Sequence, residues 1–192
     1  MSDYSKNDFI NIIKPHLNSD RFHHSICVAE CAENLAKLYG GDEEKAFTAG
    51  ILHDIMKNTS DEKQLEVINQ NGIKLNDVEL SNPKLYHAIS GSVYVRTELN
   101  ISDEDILNAI RYHTTGRAGM SLLEKIIYVA DFVSEDRSYN GIEEIREASL
   151  RSLEEAMMIG LEFSIQEITN KKQTLHLDSV SAYNELILRG QK

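Results

Sequence analysis

The feature that most constrains the fold is a helical spacing of apolar residues along almost the whole chain. Pro15 and Pro83 are the only prolines among the 192 residues, so few positions are barred from a helix interior. No stretch alternates convincingly between apolar and polar residues, as a half-buried strand would, and no internal repeat is visible. The sequence therefore predicts an all-α helical bundle, with residues 1–192 forming one domain.

Capping residues mark where the predicted helices begin and end. Asp42, Ser102 and Ser121 are good first residues, and Gly40 is a good stop. The predicted helices cover residues 5–17, 21–39, 42–57, 59–72, 84–98, 178–189, two segments opening at 102 and 121, and 141–170 as one long helix or two short ones. Within the single domain, a core of about 20–135 is expected to precede C-terminal helices of about 141–190.

The charge and composition of the chain limit the kinds of molecule that it can bind. The chain has 20 Lys and Arg against 31 Asp and Glu, a net charge of −11, and no basic cluster, so a polymeric nucleic acid is not expected to bind. A small anionic ligand would need a local positive centre. There is no membrane-spanning apolar run or secretory signal, and Cys27 and Cys31 are expected to be small buried residues rather than a disulfide. A cytoplasmic protein is the default expectation.

Several histidines lie on apolar helix faces. His24 comes four residues before Val28, and His113 three after Ile110. The inward set predicted by such spacings comes from five different helices and comprises His24, His53, His87, His113 and Asp131. Asp54 lies about 100° around its helix from His53, so both can reach one centre. The other three histidines, His16, His23 and His176, are expected at the surface.

Six inward polar groups are expensive to bury unless they are paired or bound to metal. One interpretation is a hydrogen-bonded network of histidine and aspartate. The other is a metal site, because neutral imidazole and carboxylate suit Fe, Mn, Co or Zn. Six ligands are too many for one ion that must also bind water and substrate. They fit two ions that share Asp54 as a bridge.

The order of these residues resembles the HD superfamily of metal-dependent phosphohydrolases. That superfamily is defined by a His, a His-Asp pair and a late Asp, which here are His24, His53-Asp54 and Asp131. His87 and His113 look like the additional ligands of its members with two metals. In contrast, residues 113–116 read HTTG, without the double His and Gly-Tyr-Pro of the cyclic-dinucleotide phosphodiesterases in the same superfamily.

A narrower resemblance extends over nearly the whole chain. It is carried by RFHHS (21–25), GILHDIMK (50–57), LYHA (85–88), IRYHTTG (110–116) and YVAD (128–131), which are similar to the YqeK-like symmetrical bis(5'-nucleosyl)-tetraphosphatases. The segment Glu135-Asp136-Arg137 and the later Arg146-Glu147 also resemble that family. The resemblance implies cytoplasmic hydrolysis of diadenosine tetraphosphate to two ADP at a dinuclear, iron-type centre, with Mn, Co and Zn as alternative metals. The chain departs from the family at 134–137, which read SEDR and lack a Pro-Gly.

The implied reaction assigns roles to further residues. A hydroxide bridging the two metals would attack a central phosphorus, with Asp54 and Lys57 as the catalytic residues. Lys57, near the same helix face as Asp54, would pair with phosphate, although a Lys in a last helical turn also favours the helix dipole. The candidate substrate-binding residues are Arg21, Thr114, Thr115, Gly116, Arg117 and Arg137. Each arginine could equally be an ordinary surface residue, and Gly116 an ordinary helix C-cap.

Two alternatives remain open on the sequence alone. One is an HD-type phosphohydrolase that acts on another nucleotide with the same metals. The other is a non-catalytic regulator that binds a nucleotide or a metal. The segment 141–170 could supply the face of a homodimer. No residue pattern indicates which nucleobase the substrate would carry.

Overall fold

A computed structural model describes residues 4–190, and in this range it contains eleven α-helices, one 3₁₀ helix and no strand. The all-α prediction is confirmed. The elements are α1 (Lys6–Ile13), α2 (Ser19–Tyr39), α3 (Glu43–Leu52), α4 (Asp61–Gln70), α5 (Asp77–Ser81), the 3₁₀ helix (Pro83–Leu85), α6 (Tyr86–Thr97), α7 (Glu104–Tyr112), α8 (Leu122–Val133), α9 (Ile142–Arg151), α10 (Leu153–Asn170) and α11 (Leu177–Gly190).

The helices α2, α3, α7 and α8 pack together around the main hydrophobic core. Helices α3 and α2 meet closely at Gly50, where an added Cβ would lie only 2.8 Å from the Cα of Ala29. Glycine is therefore required at this position for the two helix backbones to meet. This contact places the end of α3 beside the middle of α2.

Caps account for most helix boundaries. The side chain of Ser121 accepts a hydrogen bond from the backbone amide of Glu124, and the Glu124 carboxylate accepts one from the Ser121 amide, which completes a capping box at the start of α8. Gly40 ends α2 with φ of 69°, in the left-handed region that favours glycine. Ser60, rather than Thr59, caps α4.

The segment 141–170 forms two helices, which is one of the two predicted alternatives, because Ser152 leaves the helical conformation and caps α10 through its side chain. Other boundaries differ from the prediction. The short α5 was not predicted, although Asn76 and Glu79 form a capping box there. The helix predicted for 42–57 ends at Leu52, and the last helix includes Gly190. No helix within residues 4–190 is long and apolar enough to cross a membrane.

Burial corrects two expectations. Helical spacing from Val28, Cys31 and Leu35 predicts Leu38 on the apolar stripe of α2, but Leu38 is 52% exposed. His176, predicted at the surface, is buried, and its imidazole lies 3.6 Å from Glu79. Both cysteines are free, with Cys27 buried and Cys31 partly exposed.

Candidate metal centre

The inward polar residues predicted from the sequence meet in one cluster. Each of the four histidines is at most 3% exposed and Asp54 is 2% exposed, whereas the side chain of Asp131 is 20% exposed. Three of these residues lie within helices and the other three directly follow a helix end. The members are His24 on α2, His53 and Asp54 after α3, His87 on α6, His113 after α7 and Asp131 on α8.

The cluster contains two overlapping groups of possible metal ligands. His24, His53 and Asp131 form one group, and His53, Asp54 and His113 form the other, and in each group one ligand atom per residue lies within 4.8 Å of the others. Nε2 of His53 is 3.6 Å from Oδ2 of Asp54 and 4.0 Å from Oδ1 of Asp131. The two groups thus overlap at His53, whose Nε2 can bind one ion.

Two atoms at the centre lack hydrogen-bond partners. Nε2 of His53 and Oδ1 of Asp54 are two of the three such buried side-chain atoms within residues 4–190, and the third belongs to Ser25. Leaving buried polar atoms unpaired is unfavourable by about 1–3 kcal/mol each. Both atoms are electron-pair donors that a cation would bind, so the donor set fits Fe, Mn, Co or Zn better than it fits a self-contained hydrogen-bond network.

Three of the imidazoles are oriented in the same way. In each, Nδ1 lies 2.7 Å from the carbonyl oxygen of the residue three positions earlier, in the pairs His53 with Gly50, His87 with Lys84 and His113 with Ile110. A carbonyl accepts only, so Nδ1 carries the proton and Nε2 presents a lone pair. Nε2 of His87 and Nε2 of His113 are 3.2 Å apart. Two lone pairs at this distance repel unless a cation or a donor lies beside them, and Nζ of Lys57 lies 3.0 Å from Nε2 of His87.

The bond from His53 to Gly50 also explains why α3 ends early. The Gly50 carbonyl is the acceptor that the Asp54 amide would use in a continuing helix, and the imidazole takes it instead. The chain continues in tight turns, in which the amide of Lys57 donates to the carbonyl of Asp54 at 2.8 Å. Lys57 therefore reaches the cluster from a turn, and not from a shared helix face as the sequence suggested.

Burial controls the protonation of the histidines. It lowers the pKa of His53 to about 3, against the opposing attraction of Asp54. It lowers the pKa of His87 to about 4, again against Asp54. Both imidazoles are neutral at pH 7, which is the form that binds metal.

The two aspartates remain ionised. Burial alone would raise the pKa of Asp54, but its contacts with His53, His113 and His87, and the nearby charge of Lys57, hold it well below its ordinary value. Burial would likewise raise the pKa of Asp131, and its contacts with His24 and Arg137 outweigh that effect. The centre thus offers two carboxylates and several neutral imidazoles.

Three cationic side chains touch the cluster. Nζ of Lys57 is 3.0 Å from Nε2 of His87 and 3.8 Å from Oδ1 of Asp54. Nη1 of Arg21 donates to Oδ2 of Asp54 at 3.1 Å. Arg137 forms an ion pair with Asp131. Each of the three side chains is about one third exposed, at 30–33%, so each can also meet a ligand that enters from solvent.

The HTTG segment divides into two residues at the cluster, His113 and Thr114, and two that serve the fold, Thr115 and Gly116. Oγ1 of Thr114 lies 3.1 Å from Nε2 of His113, and Thr114 is exposed. Thr115 is buried and its hydroxyl donates to the Gly116 carbonyl. Gly116 has φ of 62°, and its amide donates to the carbonyl of Tyr112 at 2.8 Å, as in a helix C-cap. Substrate contacts by Thr115 and Gly116 stay predictions.

Arg117 makes its described contacts away from the histidines. Its Nε and Nη2 donate to the two carboxylate oxygens of Glu124 at 2.6 and 3.0 Å, and its guanidinium lies over the ring of Tyr112. Glu124 is 1% exposed, so this pair fastens the loop after α7 onto the start of α8. A substrate-binding role for Arg117 also stays a prediction.

One residue at the cluster was not predicted from the sequence. Oδ2 of Asp136 lies 2.8 Å from Nδ1 of His24, whereas the other three histidines use backbone carbonyls. Asp136 sits in the loop after α8, where apolar spacing carries no information. The only sequence signal was that residues 135–137 form part of a resembling segment.

The helical fold, the inward histidines and aspartates and the cationic rim define a metal-dependent phosphohydrolase. The HD domain family matches residues 21–136 of the chain. The chain belongs to this family.

Proteins similar to this chain indicate a particular kind of enzyme within the HD domain family. The chain is 40% identical to a symmetrical bis(5'-nucleosyl)-tetraphosphatase of Halalkalibacterium halodurans, over 93% of this chain and 95% of the relative. It is 34% identical to the protein of the same name from Bacillus subtilis, over 95% and 98%. A crystal structure from Clostridium acetobutylicum, described as a predicted HD superfamily hydrolase involved in NAD metabolism, superposes with a TM-score of 0.94 at 37% identity, over 97% and 98% of the two chains.

Proposed function

We propose that this protein hydrolyses diadenosine tetraphosphate and similar dinucleoside polyphosphates symmetrically, giving two ADP. The observation that carries the proposal is the convergence of the histidine and aspartate cluster with three cations at its rim. The two relatives named symmetrical bis(5'-nucleosyl)-tetraphosphatase, each aligned over more than nine tenths of the chain, support the choice of substrate.

The proposed cofactor is a pair of metal ions. Bound metal lowers the pKa of water and neutralises phosphate charge. Iron is the proposed metal, with Mn, Co and Zn as chemically acceptable alternatives. The proposed ligands are His24, His53, Asp54, His87, His113 and Asp131, with Asp54 shared between the two positions.

Arg21, Lys57 and Arg137 are proposed to bind the phosphate oxygens. They are the cations in contact with the cluster, and their side chains keep about a third of their surface exposed. A tetraphosphate would otherwise be repelled by a chain of net charge −11, so this local positive rim is necessary for binding. Thr114, whose hydroxyl lies 3.1 Å from Nε2 of His113 and 3.4 Å from Nε2 of His87, is proposed to add a hydroxyl donor.

The proposed reaction adds one water across the central bridge. The water oxygen bonds to one of the two central phosphorus atoms, and the bond from that phosphorus to the bridging oxygen breaks. The bridging oxygen leaves with the second ADP, and the proton lost by water passes to solvent. Lys57 would hydrogen-bond to the departing oxygen, because its Nζ already lies 3.8 Å from Asp54 beside the ligand group. We propose a cytoplasmic enzyme with a small nucleotide as its ligand.

Product analysis tests this proposal. Purified protein with added Fe²⁺, Mn²⁺ or Co²⁺ should release ADP alone from diadenosine tetraphosphate, and in ¹⁸O water half of that ADP should gain one heavy oxygen. Asp54→Ala should abolish turnover, whereas Asp61→Ala, at an exposed aspartate on α4, should retain it. AMP together with ATP as products would contradict the proposal.

Assays against a panel of nucleotides distinguish the proposed function from a phosphohydrolase with another substrate and from a non-catalytic regulator. NAD belongs in it because the structural neighbour from Clostridium acetobutylicum is described as involved in NAD metabolism. Faster hydrolysis of NAD or of a mononucleotide than of diadenosine tetraphosphate would favour another substrate. Tight nucleotide binding without hydrolysis under any of the three metals would favour a non-catalytic regulator.

A further inference from the structure

His24 is held differently from the other three histidines of the cluster. The others direct Nδ1 to a carbonyl within their own turn of chain, but Nδ1 of His24 meets the carboxylate of Asp136, 112 residues away in sequence. A carboxylate partner for Nδ1 increases the electron-pair donation of Nε2 more than a carbonyl does. The histidine ligands of the two ion positions therefore have different hydrogen-bond partners at Nδ1.

The carboxylate of Asp136 is fixed at both oxygens. Oδ2 faces His24 and Oδ1 accepts a hydrogen bond of 2.7 Å from the hydroxyl of Ser134, which is fully buried. The residue as a whole is exposed at the surface, but its side chain is only 17% exposed. Its orientation is thus determined by the protein and not by solvent.

The loop that carries Asp136 is in turn clamped by Arg146 on α9. The guanidinium donates to the carbonyl oxygens of Val133, Ser134 and Arg137, at 3.1, 2.9 and 3.1 Å. A single side chain thus satisfies three carbonyls on either side of Asp136. Arg146 lies beyond the part of the chain that matches the HD domain, which ends at residue 136.

We propose that Asp136 is a positioning residue that fixes the tautomer and ring of His24 and thereby retains metal in the group formed by His24, His53 and Asp131. This inference rests on the proposed metal centre. At the second position, Oδ1 of Asp54 lies 3.2 Å from Nε2 of His87 and 3.6 Å from Nε2 of His113. Both imidazoles are held by carbonyls of their own turns, so the affinity of this position does not rest on Asp136. Loss of Asp136 should affect one ion and spare the other.

This role gives a function to the departure noted at residues 134–137. The sequence there is SEDR, and its first and third residues form the hydroxyl–carboxylate pair that reaches His24. Glu135, between them, is exposed and has no described contact with the cluster. The loop thus holds two adjacent carboxylates, of which one is built into the centre.

Metal titration of the apoprotein tests the proposal without measuring turnover. Co²⁺ is titrated into metal-free wild type, Asp136→Asn and Glu135→Gln, and binding is followed by calorimetry, by competition with a chelator and by the visible spectrum of the bound ion. Wild type and Glu135→Gln should bind two ions. Asp136→Asn should weaken one of them about 10–100-fold and leave the other within about twofold. Ser134→Ala, which removes only the hydroxyl partner of Asp136, should weaken the same ion by less.

The possible outcomes test the role of Asp136 separately from the existence of the metal centre. Two ions bound with wild-type affinity by folded Asp136→Asn would overturn the role of Asp136 and leave the metal centre standing. An equal loss in Glu135→Gln would also overturn it, because the effect would then be one of general charge. If wild type itself bound no Co²⁺ and no Fe²⁺, the metal centre and the inference would both be wrong.

Discussion

Replacing Gly50 by Ala should separate the two helices that supply His24 and His53. The new Cβ would lie 2.8 Å from the Cα of Ala29 and 3.2 Å from the carbonyl oxygen of Val28, and both neighbours are backbone atoms of α2 that cannot rotate away. Ordinary contact begins at 3.4 Å, so α3 must move from α2 by about 0.6 Å. Since His53 follows Gly50 by three residues, the distance between the two imidazoles should change.

The expected change in the free energy of unfolding is the balance of two effects. Overpacking against backbone destabilises by roughly 1–3 kcal/mol. Alanine in a helix offsets roughly 0.5–1 kcal/mol of this, because glycine is the poorer helix former. Gly50→Ala should therefore lower the free energy of unfolding by about 0.5–2 kcal/mol, which is roughly 1–8 °C in Tm for a chain of this size. A shift of this size at a catalytic centre should also lower kcat about tenfold or more.

Gly91→Ala is the matched control. Gly91 is also a buried helical glycine beside His53, but its added Cβ would meet side-chain and carbonyl atoms at 3.6–3.9 Å, which is ordinary contact. This variant should be as stable as wild type or more stable by about 0.5–1 kcal/mol. Thermal and urea unfolding of both variants, with turnover assays, measure the contrast. A Gly50→Ala protein as stable and as active as Gly91→Ala would refute the reasoning.

Three further predictions address the centre and its surroundings. Lys57→Met should lower kcat by about 10²–10⁴-fold while bound metal stays at the wild-type level, and unchanged kcat would remove Lys57 from the reaction. The metal-free protein should lose stability as the pH falls below about 6.5. The folded-state pKa values of His53 (about 3) and His87 (about 4) lie below the ordinary 6.5, so the unfolded chain binds more protons in this range. Urea unfolding at pH 7 and pH 5 measures the loss, at most about 1.4 kcal/mol per pH unit for each histidine, and equal stabilities would contradict it. Arg117→Ala should destabilise by about 1–3 kcal/mol, because it leaves the buried carboxylate of Glu124 without its partner. A rise in KM with unchanged stability would instead indicate that Arg117 binds substrate.

The residues that the sequence located correctly are those governed by helical spacing. His24 and Asp131 were placed inward because they fall on the apolar faces of α2 and α8, and a helix face is fixed by local periodicity. The start of α8 was equally predictable from the sequence, because Ser121 and Glu124 are both parts of a local capping box. In these cases the determining interactions lie within a few residues of one another.

The features that sequence reasoning missed depend on contacts distant in the chain or on the ring of a single side chain. The end of α3 at Leu52 follows from the imidazole of His53 taking a backbone carbonyl, and no Gly or Pro marks the position. Asp136 reaches His24 across 112 residues of sequence from a loop without periodicity. His176 is buried beside Glu79 because α11 packs back on the rest of the chain, which its own flanking residues do not indicate.

The most direct test of the account is the stepwise return of metal to the metal-free protein while the nucleotide products of diadenosine tetraphosphate are identified. The account predicts no hydrolysis without metal, and full activity at two equivalents of Fe²⁺, Mn²⁺ or Co²⁺, with ADP as the sole product. Hydrolysis that survives complete removal of metal, or the release of AMP and ATP in equal amounts, would contradict it.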